Sequence, residues 1–186
     1  MRLRLETRRL VLRPVEDADA SATARLIDPH VARYLVSWTA GITARQCRLR
    51  IRASRKALRG RDYANFAILE GRSDRLLGWI GLARQADEPE QGSLGYWIGA
   101  ADEGRGYMTE AAHAFLPAAT RLLGIRVVEA SVHPDNPASI AVLRTLGFKR
   151  TGSALVRFPA FAEEQKVLVY RKAYPDEAVS PASACP

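Results

Sequence analysis

Apolar and polar positions alternate from Leu3 to Leu12, where Leu3, Leu5, Leu10 and Leu12 are separated by charged residues. This two-residue period predicts a β-strand. Pro14 ends it, since proline brings no N–H to a ladder. Asp17 or Asp19 can cap the next segment, an Ala-rich helix to about Ile27, which Asp28-Pro29 breaks. Thr43 to Leu58 predicts a second helix, closed by Gly60. Leu49, Ala53 and Ala57 form one stripe on it, with Ile51 and Leu58 beside it. Arg45, Arg48, Arg52, Arg55 and Arg59 form another.

Phe66 to Leu69 and Leu76 to Leu82 predict a hairpin around the polar turn Gly71 to Asp74. Ala86 to Gly92 reads as a loop and Leu94 to Gly99 as the next strand. A Gly-rich segment from Ala100 then opens a helix to about Leu123, capped by Gly124, with Pro117 expected to kink it. In the strand from Ile125 to Val132, Val128, Ala130 and Val132 share one face, and Glu129, Ser131 and His133 the other. Asn136 suits an N-cap and Pro137 a first helical position, opening a helix to Leu146. Leu155 and Val167 to Tyr170 supply the last strand material. The Pro/Ala/Ser-rich residues 175–186 are expected to be a disordered tail after one domain over 1–174.

With 186 residues, 47% hydrophobic and 26% charged, the chain has room for one sizeable core. No apolar run approaches the roughly 18 residues of a membrane span, and the N-terminus lacks the apolar core of a signal peptide. Cys47 and Cys185 stand far apart with no partner motif, so neither a disulfide framework nor a metal site is expected, and a reducing cytoplasm is. The net charge of +8 is unevenly spread: the first 61 residues carry 15 basic and 5 acidic side chains, the other 125 carry 13 and 15. The Arg45–Arg59 stripe is a solvated face or a surface for a ribosome, nucleic acid or acidic partner.

The strongest local signal for chemistry lies between Glu103 and Glu110. Gly104 and Gly106 flank Arg105, and the chain then enters a helix. Glycines let backbone amides approach an anion, and a helix start adds free N–H groups and positive dipole. A phosphate site follows as a candidate. It is not a P-loop, because no Gly-Lys-Ser/Thr follows.

Five segments give this signal a family context: LETRRLVLRPVEDADA, LLGWIGL, LGYWIG, GRGYMTEAA and VEASVHPDNPASIAVLRTLGFKRTG. In order and spacing the chain resembles the GNAT superfamily of acyl-CoA-dependent N-acyltransferases over roughly residues 3–172. Within it, the chain is similar to the ribosomal-protein N-terminal acetyltransferase branch. The resemblance implies an α/β (α+β) single-domain fold with a mixed, mostly antiparallel sheet that splays between its fourth and fifth strands. Acetyl-CoA would lie in that cleft as co-substrate. Its pyrophosphate would rest on Gly104, Arg105, Gly106, Tyr107, Met108 and Thr109. Its acetyl carbonyl would meet the backbone near Ile98, as in an oxyanion hole, and Asn136 and Ser139 would reach the pantetheine and sulfur end.

Two positions depart from the family pattern. Glu103 stands where Arg or Gln is expected, and Met108 where Gly or Ala is. Glu103 is expected to point outward, since an inward carboxylate would repel a pyrophosphate. The family's usual tyrosine acid is absent, and the resemblance carries that role to Ser139. The branch's glutamate base has no clear match: Phe158 falls near it, with Glu163 and Glu164 following. Glu129 is the candidate base kept here, with His133 as an alternative, each acting through water.

The attacking amine must be neutral. At pH 7 an α-amine of pKa about 7.8 is roughly 10–15% neutral, against about 0.04% for lysine. A site without a strong base therefore favours α-amines. The resulting expectation is acetyl transfer to a primary amine, by direct attack in a ternary complex, in a monomer or homodimer. The acceptor is left open between a small molecule and a protein N-terminus. The alternatives are a non-catalytic CoA-binding protein and a ribosome- or RNA-associated module using the arginine stripe.

Overall fold

The computed structural model describes residues 3–174; the tail expected over 175–186 lies outside the described residues. The first apolar run folds as two strands, β1 (Leu5–Glu6) and β2 (Leu10–Pro14), paired Leu5 to Leu12. Thr7 turns the chain between them, since its hydroxyl accepts from the Leu10 N–H and its own N–H donates to the Leu10 carbonyl. A 3-10 turn (Asp17–Asp19), α1 (Ala20–Leu26) and a short α2 (Pro29–Ala32) follow. Asp28 does break α1, but its carboxylate then caps α2 through the Val31 N–H.

Helix α3 (Ala44–Gly60) is capped by Thr43 and Gln46 in a reciprocal box. Two expectations for it are corrected. Its buried face is Cys47, Ile51 and Ser54, not Leu49, Ala53 and Ala57; Leu49 is 60% exposed. Burial of Ser54 is compensated by a hydrogen bond from Asn65. Gly60 also stays in the helix, and Arg61 takes the left-handed position beyond it, its N–H reaching the Leu58 carbonyl. Gly60 is exposed and does not hold the left-handed position.

Strands β3 (Tyr63–Glu70), β4 (Leu76–Arg84) and β5 (Gln91–Ile98) form an antiparallel meander, with the turn at Gly71–Asp74 as expected. Strand β5 starts earlier than the loop reading of Ala86–Gly92 allows, because Gln91 and Gly92 pair with the next strand. After a 3-10 turn (Ala100–Asp102) comes α4 (Tyr107–Leu123), which continues through Pro117 and ends at a left-handed Gly124. Strand β6 (Val127–Val132), α5 (Pro137–Thr145), β7 (Lys149–Val156) and β8 (Gln165–Ala173) complete the chain. The eight strands lie in the order β1-β2-β3-β4-β5-β6-β8-β7.

The seam between β5 and β6, the fourth and fifth strands of the sequence reading, is the one parallel pairing, and it is short. It holds only Gln91–Val127, Gly92–Val128 and Ser93–Glu129. Beyond Ser93 the strands part, and a cleft opens. A core of Leu12, Ile80, Phe115, Val128 and Leu143 packs under α4 on one face. A second core of Ile27, Ile51, Trp38, Trp79 and Trp97 packs on the other, against α1 to α3.

Candidate active site

The parted strands bound a cleft of about 730 Å³. Its α4 side is made of main chain. Gly104 and Gly106 hold φ of 72° and 74°, a region that costs other residues about 1–2 kcal/mol. No N–H from Gly104 to Thr109 makes a backbone hydrogen bond. A Cβ at Gly104 would meet nothing within 4 Å. These are the features of an anion seat at a helix start.

The seat is braced from behind. Glu110, in the first turn of α4, accepts from the Thr7 hydroxyl (2.6 Å), the Arg9 N–H (2.9 Å) and Arg9 Nε (2.7 Å). Burial alone would raise its pKa, but these hydrogen bonds outweigh burial and hold it below the usual range. Arg9 in turn donates to the Arg105 carbonyl (3.0 Å) and lies 4.5 Å over the Tyr107 ring. The Arg9–Glu110 brace was missed in the sequence, where the two residues are about a hundred positions apart.

The other face of the α4 side comes from β5. The Gly99 N–H donates to the Leu77 carbonyl, so alternate residues of β5 face β4 and those between them face away. The N–H groups of Tyr96 and Ile98 therefore point toward the gap left by β6. Asn136 caps α5, accepting from the Ser139 N–H (3.0 Å). The Ser139 hydroxyl lies 2.9 Å from the Tyr96 hydroxyl. Burial pushes the Tyr96 phenol up to about 12, with the Ser139 hydrogen bond pulling the other way. A phenol neutral at pH 7 can donate to Ser139 Oγ and leave the serine proton free for another acceptor. Tyr96 is the hydrogen-bond partner of Ser139, a pairing the sequence did not indicate.

The cleft thus brings together Ile98, Gly104, Gly106, Tyr107, Met108, Thr109, Asn136 and Ser139. Met108 is buried in the core as well as lining the cleft. Two expected residues are not among the lining. The Arg105 guanidinium lies 3.8 Å from Asp102, which Arg75 holds through two hydrogen bonds. Glu129 is bound by Arg171 Nε and Nη2, both at 2.8 Å, across the β6–β8 ladder. That engagement and its position remove the ground for choosing it as base.

Glu103 lines the cleft, and its half-exposed carboxylate meets the exposed His30 Nε2 at 3.0 Å. This hydrogen bond and the carboxylate charge raise the His30 pKa. His133 is buried, and its Nδ1 accepts from the Asp135 N–H. Its ring lies near-parallel to those of Tyr34 and Phe161, at 5.0 and 5.4 Å, and these two also meet each other at 6.5 Å, with Phe158 edge-on. Phe158 therefore anchors the β7–β8 loop. Glu163 and Glu164 are exposed and do not line the cleft. On the α1–α3 side the lining is aromatic: Tyr34, Trp38, Tyr63, Trp79 and Trp97, with Asn65.

A parted mixed sheet, a glycine-built anion seat and donors facing the gap define an acyl-CoA-binding architecture. Residues 9–149 match the model of the acetyltransferase (GNAT) domain, and the chain belongs to that family. Its members transfer acetyl groups from acetyl-CoA, and this chain is an N-acetyltransferase of that kind. It is 28% identical over 149 residues to the uncharacterized N-acetyltransferase p20 of Bacillus licheniformis, covering 80% of this chain and 83% of the relative. Among solved structures, the ribosomal-protein-S5-alanine acetyltransferase of Vibrio fischeri shares the fold at a TM-score of 0.82 and 18% identity, over 94% of this chain and 98% of that one. Mycobacterium smegmatis RimJ in complex with CoA-disulfide shares it at 0.78 and 21%, over 91% and 85%. Among the described residues no helix is long and apolar enough to cross a membrane, and no group of three or more His, Cys, Asp or Glu could hold a metal ion.

Proposed function

We propose that this enzyme acetylates an α-amine, such as a protein or peptide N-terminus, by direct attack on acetyl-CoA. The pyrophosphate rests on the free N–H groups of Gly104 to Thr109. The gap-facing N–H near Ile98 receives the developing oxyanion. The amine nitrogen forms a bond to the acetyl carbon, the carbon–sulfur bond breaks, and the amine's surplus proton passes to water. Ser139 gives its hydroxyl proton to the departing sulfur while the Tyr96 hydroxyl hydrogen-bonds its oxygen, and the proton that water takes from the amine is returned to Ser139, leaving amide and free thiol as products.

The observation that carries this reading is the Tyr96–Ser139 contact of 2.9 Å at the parting of the sheet. The α-amine preference rests on the carboxylates that line the cleft. Asp102 is engaged by Arg75, Glu103 by His30, and Asp135 is exposed at the rim. None is free to act as a strong base, so the acceptor must supply its own neutral fraction. The fold relatives named for ribosomal-protein acetylation agree with that acceptor class. Ser139→Ala should lower kcat by about 100-fold, within the range for loss of a proton donor, and leave acetyl-CoA affinity nearly unchanged in calorimetry. An equal loss in both would make Ser139 a binding residue only.

A further inference from the structure

The acceptor half of the cleft carries a statement about what the amine is attached to. Along β5, Ser93, Gly95 and Trp97 face the α1–α3 side, opposite to Tyr96. Gly95 lies two residues past the last β5–β6 rung, beside the gap-facing edge that the acetyl group is proposed to meet. Its φ is not positive, so no backbone requirement calls for glycine there. A Cβ placed on it would meet nothing within 4 Å. Its partner across β4 is Gly81, where a Cβ would collide with the Tyr63 ring at 2.5–2.9 Å. One glycine of the pair is filled by a phenol, and the other is left open.

The sheet wall of this opening is uncharged, the carboxylates of the cleft, Asp102, Glu103 and Asp135, standing on other elements. The cleft lining contributed by β3, β4 and β5 holds no charged side chain. Tyr63 is pushed up to about 12 by burial, so it adds no charge at pH 7. Trp38, Trp79 and Trp97 pack on one another at 5.1–6.1 Å, and each is at most 9% exposed. Arg50 lies 5.0 Å from the Trp38 ring. Their ring faces are therefore occupied and not free to cage a cation. Leu35 and the 55% exposed Val36 close the slot from the chain after α2.

We infer that the acceptor is a monoamine with an uncharged, apolar body that sits over Gly95, and not a polycation. This rests on the acetyltransfer reading above. A second ammonium on the acceptor would enter a neutral, largely dry wall with no carboxylate on the sheet to receive it, which is unfavourable. An aliphatic or aromatic first side chain would instead gain contact with the rings.

Dipeptide amides beginning with Gly, Ala, Leu or Phe, together with spermidine, form the test panel. The kcat/KM should rise about tenfold or more from Gly to Leu or Phe, the scale of a few buried methylenes, and spermidine should fall at or below Gly. Gly95→Val should raise the KM for the Leu peptide about tenfold while acetyl-CoA affinity and melting temperature stay at wild-type values; Gly95→Ala should do so more weakly. The chain's three tryptophans, Trp38, Trp79 and Trp97, all stand at this wall, so their emission reports peptide binding to the protein–CoA complex even without turnover. A flat series, a preference for spermidine, or peptide binding unaffected by Gly95→Val overturns the inference and leaves acetyl transfer standing. Loss of acetyl-CoA binding in the wild-type protein would instead overturn the parent reading.

Discussion

On the α4 side, the cleft presents backbone N–H groups from Gly104 to Thr109 and from the free edge of β5. On the α1–α3 side it presents rings: Trp38, Trp79, Trp97 and Tyr63 around an open Gly95. A main-chain site depends on φ angles and a helix start, so it can serve one cofactor behind many different side chains. A ring-lined site depends on which side chains fill which gaps, so it separates one enzyme's acceptor from another's. The difference assigns catalytic generality to one half and selectivity to the other.

The largest effect in a test of this division is expected from Gly104→Val. A β-branched residue at φ of 72° is strained and would point into the anion seat. Acetyl-CoA affinity in calorimetry should fall about 10- to 100-fold, a loss of roughly 1.4–2.7 kcal/mol, with acceptor selectivity retained among the residual activity. A change in the ranking of acceptors would show that the halves are not separable.

Glu110→Gln should act on the same half, from behind it. The Glu110 pKa is depressed, so its stabilising contribution is present above the ordinary carboxylate pKa and is lost as pH falls through the folded value. The variant should lose about 1 kcal/mol at pH 7, a modest figure because Arg9 is 36% exposed. The gap to wild type in thermal melts should start to narrow once the pH falls below the ordinary glutamate pKa near 4.3, and narrow further toward the depressed folded value. A gap that stays constant throughout the acid titration would remove the charged brace from the account. The smallest effect belongs outside both halves. Arg52→Ala breaks an exposed pair with Asp17 and should cost well under 1 kcal/mol in denaturant unfolding.

The same contrast decides what could be read from the sequence. Gly104, Gly106, Asn136 and Gly124 were legible because each answers a local backbone need that leaves a residue-type signature. The antiparallel run β3 to β5 was legible from period and turns, whereas the splay between β5 and β6 followed only from the family resemblance. The buried face of α3 was not, since Ser54 and Cys47 face the core on account of what lies across from them, Asn65 in the first case. The division of the first strand hid in a Thr7 hydroxyl bond that does not alter the alternation. Glu129 looked like a base because its strand face is polar, yet that face meets Arg171 on β8. The Tyr96–Ser139 pair went unread because a tyrosine in a strand does not announce a partner on α5. Short-range requirements are written in single residues; long-range pairings are written in two places at once.

The shortness of the β5–β6 seam has a mechanical consequence. Three rungs, Gln91–Val127 to Ser93–Glu129, are the only ladder between the five-strand half and the three-strand half. The halves are otherwise joined by the core beneath, where Phe115 and Leu116 of α4 belong to one cluster with Ile80 on one side and Val128 and Tyr170 on the other. The sheet is continuous by hydrogen bonding at one end only. Helix α4, whose first turn is proposed to seat the phosphate, packs chiefly on the five-strand plate and meets the other through that shared core.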